Sequence, residues 1–145
     1  MKLTFASGTA AALLLALTPV TATADTGAAA VHTIRHATTL ACLTTNDRGD
    51  VYTSPCTGSD YQRWDDYAPG KFRNVATALC LAGTGNAVFT AACSSPAAGW
   101  SSTSGQPRLF RHVQTGRCLY GSGGQAAPVE LRTCSTTSQW VFTGG

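Results

Sequence analysis

Ile34-Arg35-His36-Ala37-Thr38-Thr39-Leu40-Ala41-Cys42-Leu43 decides the fold, because the chain writes this stretch three times. Phe72-Arg73-Asn74-Val75 leads through Thr77 to Cys80-Leu81. Phe110-Arg111-His112-Val113 leads through Thr115 to Cys118-Leu119. Each Cys-Leu pair follows the last by 38 residues. Downstream, a valine stands five residues before a second cysteine in every copy: Val51 and Cys56, Val88 and Cys93, Val129 and Cys134. A tryptophan closes each unit, at Trp64, Trp100 and Trp140. A fixed period means units that cannot bury an apolar face alone and stack on their neighbours. The copies run from Ile34 to Gly70, Lys71 to Gln106 and Pro107 to Gly145, making one domain over 34–145.

What precedes that domain reads differently. Lys2 is followed by an apolar run from Ala10 to Val20, and Ala22-Thr23-Ala24 satisfies the small-x-small cleavage rule. Residues 1–24 are therefore expected to be a secretory signal peptide, the run being too short for the ~20 residues a membrane span needs. No later stretch is apolar enough to insert in a bilayer. Residues 25–33, with Gly27-Ala28-Ala29-Ala30, have no counterpart in the other copies and read as an extended N-terminal arm.

Export makes the six cysteines intelligible as a disulfide framework. Each copy owns two, so the economical pairing is Cys42–Cys56, Cys80–Cys93 and Cys118–Cys134. Zinc is disfavoured, since there is no C-x-x-C and only His32, His36 and His112 would assist. No cofactor is expected. The formal net charge is +3, and losing Lys2 lowers it by one. That small, dispersed excess provides no clustered basic face for nucleic acid.

After the leader no helical periodicity of useful length appears. Short β-prone pieces alternate with turns at Asn46-Asp47-Arg48-Gly49-Asp50, Gly83-Thr84-Gly85-Asn86 and Gly121-Ser122-Gly123-Gly124. This argues for an all-β protein, and threefold repetition for a closed pseudo-symmetric barrel with the tryptophans at its core.

These residues resemble the ricin B-type β-trefoil family. The shared pattern is apolar-Arg-x-x-x-Thr-x-x-Cys-Leu, then Val-x-x-x-x-Cys, then Gln-x-Trp. Gln62-Arg63-Trp64 carries the closing motif intact, Ala98-Gly99-Trp100 lacks its Gln, and Ser138-Gln139-Trp140 has it one place late. The resemblance implies a β-trefoil of twelve strands, six closing a barrel and six forming a hairpin cap. It also implies a sugar site per copy: an Asp two residues after the first Cys, an aromatic two before the second, and a polar residue ahead of the Gln. The Asp supplies directional acceptors and the ring desolvates the C–H face of the sugar.

The chain departs from that pattern in every copy. Thr44, Ala82 and Tyr120 stand at the Asp positions, Ser54, Ala91 and Arg132 at the aromatic ones, and Tyr61, Ala97 and Thr137 ahead of the Gln position. Neutral side chains do not replace a carboxylate, whose charge-assisted hydrogen bonds are about twice as strong. Ordinary galactose-type binding is expected to be lost or displaced.

Two clusters remain as candidate contacts: Tyr61, Gln62, Asp65, Asp66 and Tyr67 around the first Trp, and Tyr120 with Arg132 across the third site. Each has a plainer reading, a solvated loop for the first and a surface cation–π pair for the second. No catalytic constellation stands out: Glu130 is the only Glu, and Asp65 and Asp66, adjacent on a strand, point to opposite faces. Every cysteine is assigned to a bridge, leaving no nucleophilic thiol.

The expectation is a secreted, non-catalytic binding protein. Site-degenerate trefoils of this kind resemble adaptors or accessory subunits of secreted toxin assemblies, such as the delivery subunits of distending toxins and adaptors in umbrella-type toxin particles. The partners are then other secreted proteins, to which the arm contributes. The alternative is a lectin with relocated contacts, recognising cell-wall or plant glycans. Protease inhibition, known on other trefoils, comes third because no reactive loop is evident.

Overall fold

The computed structural model describes residues 29–144. The expected signal peptide, and residues 25–28 of the expected arm, lie outside them. Each copy contributes four strands: β1 (Val31–His36), β2 (Cys42–Thr45), β3 (Val51–Ser54) and β4 (Arg63–Ala68) in the first; β5 (Lys71–Asn74), β6 (Cys80–Thr84), β7 (Ala87–Ala91) and β8 (Trp100–Ser102) in the second; β9 (Phe110–His112), β10 (Cys118–Gly121), β11 (Ala127–Arg132) and β12 (Trp140–Thr143) in the third. Short 3-10 turns at Asp60–Gln62 and Pro96–Ala98 precede β4 and β8.

The first and fourth strands of each copy close the barrel. β1 pairs with β4, β4 with β5, β8 with β9 and β12 with β1, all antiparallel. The circuit is completed where Trp100 N–H donates to Gly70 O at 2.8 Å, and where Arg108 and Trp140 exchange two bonds of 2.9 Å. The hairpins β2–β3, β6–β7 and β10–β11 form the cap. They are tied together by β3–β11 and β11–β7 pairing and by the Asp50–Phe89 bridge. All three expected disulfides are formed, spanning 14, 13 and 16 residues.

The repeat places equivalent side chains around one centre. Leu43, Leu81 and Leu119 are fully buried, with Val51, Val88, Val129 and the three tryptophans beside them. Ile34, Phe72 and Phe110 enter from the barrel strands, Phe72 only partly buried. Alternation sorts inside from outside: in β11, Val129 and Leu131 point inward while Glu130 and Arg132 point outward. Each indole N–H donates to the carbonyl of its own copy's Cys-Leu leucine: Trp64 to Leu43 (3.1 Å), Trp100 to Leu81 (2.8 Å) and Trp140 to Leu119 (3.1 Å). Gly70 makes the β4–β5 turn at φ +70°, where any Cβ would collide with Trp100 O.

The boundary between arm and domain is displaced. Val31, His32 and Thr33 are strand residues, registered with Asp65, Trp64 and Arg63 of β4. Barrel closure is a backbone matter. A strand filling the gap between β4 and β12 needs no repeated side chains, so the internal repeat does not mark its start.

Candidate functional site

The sugar positions implied by the resemblance lie where each hairpin meets the segment before its closing tryptophan, and all three are built differently. In the first copy Gln62 is 2% exposed and every polar atom of its amide is used. Its Nε2 donates to Thr44 Oγ1 (3.2 Å), Ser54 Oγ (3.0 Å) and Pro55 O (2.9 Å). Its Oε1 accepts from Thr57 N–H at 2.7 Å and Thr57 Oγ1 at 3.2 Å. Thr44 and Ser54 also bond each other at 2.7 Å, so a cross-strand hydroxyl pair fills the space of the missing Asp and ring.

Above that network lies a pocket of about 320 Å³ lined by Asp47, Tyr52, Thr57 and Tyr61 as well as Thr44 and Gln62. Ser59 accepts from Tyr61 N–H and opens the 3-10 turn, which carries the Tyr61 ring to the rim. There Tyr61 Oη donates to Asp47 Oδ1 at 2.8 Å. The Asp47 carboxylate pushes the Tyr61 phenol above its usual range.

The second copy has no polar equivalent. Ala82, Ala91, Ala97 and Ala98 pack with Phe89 and the Cys80–Cys93 bridge into a separate apolar cluster. The third copy is covered by its own side chains. Tyr120 pairs across the hairpin with Glu130, and the diagonal Arg132 lays its guanidinium 3.8 Å from the Tyr120 ring centroid while pairing with Glu130. Ser138 stands where the first copy has Gln62, accepting from Gly121 N–H and donating to Leu119 O.

Asp65, Asp66 and Tyr67 sit apart from the Tyr61–Gln62 pocket, on β4. Asp65 is buried and accepts two bonds from Arg73, at 3.1 and 2.8 Å. The same Arg73 covers the half-exposed Tyr67 ring at 4.5 Å, and hydrogen bonding to Asp65 raises its already high pKa. Asp66 faces the other way, 2.8 Å from His32 Nε2, while His32 Nδ1 meets Gly144 O. These residues knit β1, β4, β5 and the end of β12 together.

Of the equivalent residues His36, Asn74 and His112, the last two staple neighbouring copies by hydrogen bonds, whereas the His36 ring meets Trp140 of the third copy edge-on. Asn74 donates to Tyr61 O and Arg63 O, and His112 Nε2 to Ala97 O. His36 Nε2 is buried without a hydrogen-bond partner among the described residues. Burial pushes the His36 imidazole below its usual value, opposed in part by the Gly121 backbone. No cluster of three or more His, Cys, Asp or Glu suited to a metal ion occurs among the described residues.

A family model, the ricin-type beta-trefoil lectin domain, matches residues 30–144. The chain belongs to that family. A comparison with curated protein sequences finds no match. Among solved structures, the Haemophilus ducreyi cytolethal distending toxin is similar at 20% identity and TM-score 0.65, over 79% of this chain and 83% of that one. The Macrolepiota procera ricin B-like lectin, solved in complex with lactose, is similar at 13% identity and TM-score 0.68, over 79% and 95%. A mosquitocidal holotoxin matches at 15% identity and TM-score 0.71, over 81% of this chain and 17% of that one. At these identities the likeness is one of fold.

Reading the motif positions of this ricin-type domain finds Tyr61 and Gln62 but misses Asp47 and Tyr52. Asp47 belongs to the β2–β3 turn, where glycine and polar residues signal only a reversal. Tyr52 alternates outward next to buried Val51 and Thr53. That alternation was the available signal.

Proposed function

We propose that this ricin-type trefoil is a non-catalytic binding protein that engages another protein, as an accessory subunit of an exported assembly. The observation that carries this reading is that all three family sugar positions are filled by the chain itself: a saturated Gln62 network, an alanine cluster, and Arg132 laid on Tyr120. Three disulfides in a small domain suit an oxidising compartment, in line with the signal-like leader. Among the described residues no helix is long and apolar enough to cross a membrane. The β-trefoil hosts many functions, so the sites rather than the fold support the assignment. Ala30 is already tied to β4, its carbonyl accepting from Asp66 N–H at 3.0 Å, so a truncation that tests the expected arm stops before Ala30.

The test is affinity capture with the tagged protein from the culture fluid of its source, run beside a glycan array. A stoichiometric protein partner retained in excess galactose and lactose supports the reading. Elution of that partner by either sugar, or a saturable array signal with no protein partner, overturns it.

One observation favours a second reading, saccharide binding in the first copy. Asp47 and Tyr61 set a carboxylate and an aromatic ring at the rim of a hydroxyl-lined pocket, the two chemistries that sugar recognition uses. Loss of an array signal in Asp47→Asn and Tyr61→Ala variants would locate binding there.

A further inference from the structure

The threefold repeat provides an internal control on each side chain, and one arginine fails it. Arg35, Arg73 and Arg111 occupy the same position in the three copies. Arg73 is held by Asp65, and Arg111 donates from Nε to Gly116 O at 2.9 Å. The Arg35 guanidinium makes neither a hydrogen bond nor an ion pair among the described residues, and its Nε is buried without an acceptor. Buried donors are almost always partnered, because removal from water is otherwise uncompensated.

Arg35 lines a cleft of about 430 Å³ between the first and third copies, away from the hairpin pockets. Leu40, Ala41, Pro55 and Cys56 give it an apolar wall, and Gly123 and Gln125 of the third copy close the far side. That far side is fixed in place: Thr53 Oγ1 donates to Gly124 O at 2.8 Å, and Gly123 lies so close to Thr39 and His36 that no Cβ fits. No carboxylate lines the cleft.

The wall shows a second departure from the repeat. Leu40, Ala78 and Gly116 share a left-handed backbone, at φ 61°, 58° and 70°. Gly is at ease there and Ala tolerable, whereas a bulky residue is strained. Leu40 is also 53% exposed. The first copy thus leaves its guanidinium without a hydrogen-bond acceptor among the described residues and sets a strained, exposed leucine in the same cleft, where the other copies do neither.

We infer that this cleft binds a small organic acid, its carboxylate on Arg35 and its aliphatic body against Leu40, Pro55 and the Cys42–Cys56 bridge. The guanidinium fork matches a carboxylate with two parallel bonds, and an apolar wall beside one fixed charge selects a carboxylate attached to carbon over a bare inorganic anion. The inference is independent of the function proposed above, since it uses none of the hairpin positions.

The experiment is an NMR titration of the full domain, following arginine Nε–H and leucine methyl signals. The probes are butyrate, butanol, sulfate and glucuronate at equal ionic strength. Butyrate is expected to shift Arg35 and Leu40 saturably while Arg111 stays still. Arg35→Gln should weaken butyrate at least about tenfold, and Leu40→Ala, which copies the second repeat and keeps the turn, should weaken butyrate but not sulfate. The inference is overturned if butanol shifts these signals as butyrate does, if sulfate or glucuronate binds as tightly as butyrate, or if Arg35→Gln leaves the titration unchanged. A folded spectrum of each variant guards against loss through unfolding.

Discussion

The indole nitrogen of Trp64 lies 3.1 Å from the carbonyl oxygen of Leu43, joining the last strand of the first copy to the Cys-Leu pair that begins its hairpin. The bond recurs in both other copies, so the two most regular sequence signals of the repeat are physically the two ends of one contact. Trp64→Phe retains most of the ring and removes the donor. A carbonyl left unsatisfied in the core costs about 1–3 kcal/mol, so the variant should unfold at lower denaturant with an unchanged slope. Trp64→Ala adds a cavity and should cost about 3–5 kcal/mol.

The three disulfides close loops of nearly equal length, 14, 13 and 16 residues. Replacing the cysteine pair of any one copy by serine should cost about 3 kcal/mol, and the loop lengths alone distinguish the copies by only about 0.2 kcal/mol. Denaturant melts of the three double variants measure this. A much larger loss for Cys80–Cys93 would show that the alanine cluster around it depends on the bridge for its packing.

Gln62 is a structural hub before it is a ligand contact. Gln62→Leu keeps the volume but strips partners from Thr57 N–H, Pro55 O and the Thr44–Ser54 pair, with an expected loss of about 1–3 kcal/mol. Chemical denaturation checks the size. The Tyr61 Oη bond to Asp47 should persist, readable as an unchanged high phenol titration.

Arg132 covers Tyr120 at the surface, and its ion pair with Glu130 is about half exposed. Arg132→Ala should change stability by no more than about 1 kcal/mol. It should not create galactose binding either, because Tyr120 still occupies the acceptor position. Calorimetry with millimolar galactose is expected to give no saturable heat.

Burial depresses the pKa of His36, so between its folded value and the ordinary 6.5 the unfolded chain binds the additional proton. Stability is therefore full above 6.5 and declines as pH falls below it, until the folded value is reached. His36→Asn installs the residue that the second copy uses at Asn74 and should flatten this dependence. Thermal melts of both proteins at several pH values between 5 and 8 provide the comparison.

The fold is legible in the chain because a cysteine, a leucine, a valine and a tryptophan recur at matched offsets, and each has one place in the core. The disulfides follow from the same register, as does the contact between Tyr120 and Arg132. The start of β1 does not, since His32 and Thr33 are chosen by backbone pairing with β4 rather than by any repeated side chain. Nor does the Asp47–Tyr61 contact, which depends on how a turn folds over a hairpin. Gln139, one place late for a Gln-x-Trp motif, is a case where the register outweighs the motif. Spacing from Trp140 puts Ser138 at the Gln62 position, where it is buried and bonded to Leu119 O.

The pairing of β1 with β12 is equivalent to the β4–β5 and β8–β9 pairings elsewhere in the barrel, except that no peptide connects it. Where the chain is cut is therefore a matter of covalent bookkeeping that the barrel does not register. Ligating the strand that ends at Thr143 to the one that begins at Val31 through a short glycine turn, and reopening the backbone in the exposed loop around Gly105, would yield a permuted protein with its copies in the order three, one, two. Such a molecule should retain every disulfide and every indole-to-carbonyl bond, while presenting its new ends a third of a turn around the axis.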